Sequence, residues 1–135
     1  MKTSKLALRI LLAVLAAAAL GACATAPKEI PEDLSAQVLV QRAQEASDAY
    51  DYKGALAYYR ALKERYGSDP AYDCAADYEM ALIAHKQGRD DEAEAALTAL
   101  LERYAQARGE VLPERYRILA GKVLENIAAR KLPGK

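Results

Sequence analysis

The sequence predicts an all-α domain, an α-solenoid of two helical hairpins closed by a fifth helix at the C-terminal end. Three observations lead to that class. From about residue 31 onward the apolar residues recur at spacings of three and four, and no stretch alternates apolar with polar as a half-buried strand would. The breaks between the periodic segments are short, which makes sequential helices antiparallel neighbours. Two of the segments also repeat one another at an offset of 38 residues.

The elements follow in order. A first helix carries the stripe Leu39, Ala43, Ala46 and Tyr50, with Ser35 near its start. After the break at Asp51-Tyr52, a second carries Ala55, Tyr59, Leu62 and Tyr66. Gly67 to Pro70 separates it from a third, with Cys74, Tyr78, Ala81 and His85 on one stripe and Met80 and Ala84 beside them. Gly88 to Asp90 precedes a fourth, with Ala93, Leu97, Leu100 and Tyr104. Beyond Gln106 to Pro113 a fifth runs through Tyr116, Leu119, Ala120, Val123, Leu124 and Ile127. Pro70 and Pro113 suit first turns, where the missing N–H has no helical partner to lose. Glu114 at one end of the last helix and Arg130 and Lys131 at the other suit its dipole. With no Phe and no Trp in the chain, tyrosine must supply all the aromatic volume of the core.

Aligning Tyr52–Tyr66 with Asp90–Tyr104 makes seven of fifteen positions identical, ending in Glu-Arg-Tyr both times. The preceding helices share Ala43 with Ala81 and Ala46 with Ala84 in the same register. The unit is therefore a hairpin used twice. Small residues at 43 and 55 followed by Tyr59 and Leu62, and at 81 and 93 followed by Leu97 and Leu100, resemble the tetratricopeptide repeat, abbreviated TPR. In that family small residues let the two helices of a hairpin approach closely. Lys86-Gln87-Gly88 followed by Asp91-Glu92-Ala93 is similar to its inter-helix turn. Arg42 and Asp77 stand where the family has large apolar residues, and the period of 38 exceeds the usual 34. The resemblance covers about residues 35 to 128. It implies a concave, ligand-facing surface built from the first helix of each hairpin. In register these residues are Val40, Gln44 and Asp48, then Tyr78, Leu82, His85 and Lys86, and from the fifth helix Ile118, Lys122 and Glu125.

The N-terminal segment reads as an address. Lys2, Lys5 and Arg9 precede an unbroken apolar run of 11 residues, Ile10 to Leu20, too short to span a bilayer, which takes about 20. It has the dimensions of a secretory signal's hydrophobic region. Leu20-Gly21-Ala22-Cys23 resembles the lipobox of bacterial lipoproteins. The resemblance implies cleavage before Cys23, a diacylglycerol (with palmitate among its acyl chains) on the Cys23 sulfur, and, with Ala at 24, the periplasmic side of an outer membrane. The chain thus divides into a signal peptide over 1–22, a lipidated cysteine with an extended tether over 23–33, and a helical domain over 34–131.

The residues offer little chemistry. One His and two Cys, one of them the acylation candidate, leave no set with metal-ligand spacing, so no metal, cofactor or catalytic group is expected. Cys74 falls on an apolar stripe and is expected to be buried. Ser35, Ser47 and Ser68 lack any hydrolase context. Asp90, Asp91 and Glu92 open a helix, where acids favour the dipole. Beyond the first 22 residues the chain carries 16 basic and 19 acidic groups, which excludes a broad nucleic-acid footprint. That charge is uneven, with six basic and two acidic residues from 111 onward against an acidic body. The basic last helix is expected to close on that body, or else to meet an anionic surface. Together these features describe a non-enzymatic, membrane-anchored adaptor for an envelope protein or peptide. The alternative is a structural subunit that associates with its own copy as a homodimer.

Overall fold

A computed structural model of the chain describes residues 29–132 as five α-helices and, among those residues, no strand. They are α1 (Ala36–Asp48), α2 (Tyr52–Tyr66), α3 (Pro70–Lys86), α4 (Asp90–Gln106) and α5 (Glu114–Lys131). The signal region and Cys23 lie outside the described residues. Each helix packs on the next in sequence, and α3 also touches α5.

The helix ends follow local chemistry. Ser35 caps α1, its hydroxyl accepting from the Val38 N–H at 3.4 Å. Asp51 caps α2 by accepting from Gly54 N at 3.0 Å. A Cβ on Gly54 would sit 2.2 Å from the Asp51 carboxylate, so the cap and the glycine belong together. Asp69 caps α3 with Pro70 in its first turn. Pro113 is the N-cap of α5 rather than a first-turn residue, and Glu114 opens the helix.

α1 stops at Asp48, short of the apolar stripe read through Tyr50. Tyr50 has φ 60° and is 80% exposed. Its neighbour Asp51 donates its backbone N–H to the Ala46 carbonyl at 2.8 Å, the six-to-one bond of a Schellman cap. One repeat later the same bond runs from Arg89 to the Ala84 carbonyl at 2.9 Å, with Gly88 at φ 76° in the position of Tyr50. The first hairpin therefore places a tyrosine where the second has the glycine that a left-handed residue favours. Tyr50→Gly is expected to stabilise the domain by about 1 kcal/mol, read as a higher urea midpoint; an unchanged or lower midpoint would show that the ring's contact with Tyr52 outweighs the backbone strain.

Two core clusters share α3. One gathers Leu39 and Ala43 of α1, Ala55, Tyr59 and Leu62 of α2, and Ala76 and Ile83 of α3. The other gathers Cys74, Tyr78, Ala81 and Ala84 of α3, Ala93, Leu97 and Leu100 of α4, and Tyr116, Ala120, Val123 and Ile127 of α5. α3 is buried on two faces because it is the middle layer, and its small residues Ala75, Ala81 and Ala84 on one side and Ala76 on the other let neighbours approach from both. Ala43, Ala55 and Ala93 have no exposure and Ala81 has 3%. Cys74 is a buried free thiol, as its stripe suggests, and burial pushes its pKa up.

Polar links tie the layers. Asp73 and Asp77 of α3 receive Lys63 of α2, the Lys63–Asp73 distance being 2.9 Å, and Arg103 of α4 pairs with Asp73 from the other side. Asp77 is half-buried on α3 beside that lysine. Burial pushes the Asp73 pKa up, but its bonds with Lys63 and Arg103 outweigh that and hold it below the usual carboxylate range. The basic end of the chain closes on the acidic body: Lys131 reaches Asp91 at 2.7 Å and also Glu94, and Arg130 lies 3.4 Å from Asp90. Ile30 and Pro31 are not free tether. Both carbonyls accept from Arg65, at 2.9 and 2.6 Å, and the Tyr66 hydroxyl donates to Leu34 O at 2.9 Å. The donor-rich C-terminal end of α2 captures the chain before α1 begins.

Candidate functional site

The alternate helices α1, α3 and α5 line one groove of about 430 Å³. From α1 come Gln37, Val40, Gln41 and Gln44, spaced at three and four so that all face one way. Ala71, Tyr72, Ala75 and Glu79 come from α3, and Arg115, Tyr116 and Leu119 from α5, with Tyr59 of α2 at the floor. The walls are mainly apolar and aromatic. Arg115 is engaged with the wall, its guanidinium 4.4 Å from the Tyr116 ring centroid and donating to the Tyr116 hydroxyl. Glu79 is half-buried, and burial raises its pKa although Lys86 and Arg115 pull the other way. Burial, then the nearby Glu79 charge, also raises the pKa of Tyr59.

The residues read from the repeat register divide. Val40 and Gln44 do line the groove. Tyr78 does not, and the expectation that it faces an open surface is corrected. It is 6% exposed, with its ring centroid 5.7 Å from that of Tyr116. α5 lies across α3 and fills that position with its own tyrosine. Leu82 is half-buried against the same cluster. His85 Nδ1 sits 2.7 Å from Asp90 Oδ1, in a cluster with Arg130, so the imidazole joins helix ends rather than a ligand surface. Lys86 is exposed in a shallow dent with Asp48, Tyr50 and Tyr52 at the α1–α2 turn. Ile118 is 50% exposed and Lys122 and Glu125 are exposed on α5, beside the groove lining and not in it.

On α3 and α5 the lining is displaced by one residue, Glu79 for Tyr78 and Leu119 for Ile118. The stripe Tyr72, Ala75 and Glu79, and the pair Arg115 and Leu119, carry the same spacing and were legible as faces. What selects between adjacent faces is how α5 packs against α3, which spacing does not encode. Among the described residues no group of three or more His, Cys, Asp or Glu side chains is placed to hold a metal ion. No helix among them is long and apolar enough to cross a membrane.

No family model matches the chain. No solved structure matches it either. An uncharacterized protein of Treponema pallidum (strain Nichols) is 33% identical over 97 residues, which cover 70% of this chain and 39% of that one. The chain therefore spans well under half the length of that relative. The similarity carries no activity with it.

Proposed function

We propose that this chain is a non-enzymatic lipoprotein adaptor of a bacterial envelope, which holds a segment of a partner protein in the groove between α1, α3 and α5. The observation that carries this reading is the groove's origin: three alternate helices expose one continuous, mainly apolar face with glutamines along its rim. An arrangement of TPR-like hairpins accounts for that origin, since the first helix of each hairpin then shares the concave side. The buried alanines at 43, 55, 81 and 93 support it. The anchor rests on the lipobox resemblance at Leu20 to Cys23, and the outer-membrane location on Ala24 after it.

A photo-crosslinking amino acid placed in living cells at Gln44 or Leu119 is expected to yield a discrete adduct. The same group at Glu102, exposed on α4, is expected to yield none, and Leu119→Asp is expected to abolish the Gln44 adduct. Equal adducts from both faces, or none from the groove, would end the adaptor reading. An adduct of twice the protomer mass favours the alternative, a self-associating structural subunit, for which the half-exposed Ile118 on the outer face of α5 speaks.

A further inference from the structure

We propose that the groove selects a partner segment by a basic side chain, a lysine or arginine set among apolar residues, whose charge rests on the Glu79 carboxylate. This rests on the groove being the partner-binding face. Three acids of α3 are half-buried: Asp73, Asp77 and Glu79. The first two are met by Lys63 and Arg103. Glu79, lining the groove, has neither an ion pair nor a side-chain hydrogen bond among the described residues. Two cations act on it through space, Lys86 and then Arg115, yet neither pairs with it, and Arg115 is turned onto Tyr116, over its ring and against its hydroxyl. A carboxylate partly withdrawn from water without a partner costs free energy, and burial holds this half-buried one above its ordinary pKa. An incoming cation restores what burial removed.

The walls suit the same occupant. Tyr72 is the partly exposed aromatic beside Glu79 in the groove, with Tyr59 and Tyr116 buried behind it, and an aromatic face attracts ammonium and guanidinium groups. Val40 and Leu119 offer apolar surface for the stem of a long basic side chain and for its neighbours. An acidic anchor would meet Glu79 directly and would have to take Arg115 from Tyr116. A wholly apolar anchor would leave the carboxylate more deeply buried and still unpaired. The charge of the groove therefore favours a cation flanked by apolar residues over either.

The test is selection from a random dodecapeptide phage library on the full-length protein in detergent. Enriched peptides are expected to share one Lys or Arg between apolar residues. Glu79→Gln, nearly isosteric, is expected to weaken such a peptide about tenfold to a hundredfold while leaving the urea midpoint unchanged or slightly raised. Replacing the peptide's Lys by norleucine is expected to cost a similar factor on wild type and almost nothing on Glu79→Gln, the non-additivity that marks direct contact. Peptides that lose binding on Leu119→Asp but share no basic residue and ignore Glu79→Gln would overturn this proposal and leave the groove as the binding face. Peptides indifferent to Leu119→Asp, or no enrichment at all, would overturn both.

Discussion

Tyr78→Ala is expected to cost the domain about 3–5 kcal/mol, the range for truncating a large aromatic in a packed core. Tyr78 is 6% exposed and joins Tyr116 with centroids 5.7 Å apart. Its removal would leave a void between α3 and α5, in a cluster whose other α3 members are all small: Cys74, Ala75, Ala81 and Ala84. A domain of this size is stable by about 5–15 kcal/mol in all, so the loss is a large fraction of the total. At a urea slope of about 1–3 kcal/mol/M the midpoint should fall by at least about 1 M. Circular dichroism at 222 nm on the full chain would read it. A midpoint like wild type would mean that α5 does not cover α3 in solution, and the groove would then extend across Tyr78 and Leu82 as the repeat register alone implies.

Cys23→Ala is expected to have an all-or-none effect on location. If Cys23 carries a diacylglycerol, two or more acyl chains anchor the chain in effect permanently, whereas one alone binds only marginally. Wild type should then incorporate labelled palmitate and partition into detergent, and Cys23→Ala should do neither. Equal labelling of the variant would sink the lipoprotein reading and with it the envelope location. The groove proposals would survive that result, because they depend on α1, α3 and α5 alone.

Helix number, order and most boundaries were legible along the chain because they are local quantities. The spacing of Leu39 and Ala43, or of Leu97 and Leu100, declares a helical face. Ser35 and Asp51 mark starts through bonds made within a few residues, and Pro70 through a ring that suits a first turn. The twofold use of one hairpin was written in repeated small residues, and the burial of Cys74 in its stripe. The boundary that misled was Tyr50, whose apolar character continued the stripe while the backbone had already turned. A left-handed tyrosine is hard to read from sequence, since the residue type that marks such a cap is glycine, as at Gly88. The signal peptide read from the basic start and apolar run, and the lipidation of Cys23 read from a resemblance, lie outside the described residues.

The lining of the candidate groove was a tertiary decision. That alternate helices share one face follows from the hairpin repeat, and so Val40 and Gln44 were found. Which residues of α3 and α5 complete that face depends on how far α5 leans across α3, and a rotation of one residue exchanges Tyr78 for Glu79 and Ile118 for Leu119. The lean follows from packing Tyr116, Ala120, Val123 and Ile127 into the alanine-lined side of α3, and from Arg130 and Lys131 closing on Asp90, Asp91 and Glu94. Those contacts join residues some 40 positions apart, beyond any periodicity within one helix. Spacing alone places Glu79 on the helix surface as one more charge; only the packed structure sets it half-buried in an aromatic groove, while Lys63 and Arg103 are taken by Asp73 and Asp77 and Arg115 by Tyr116.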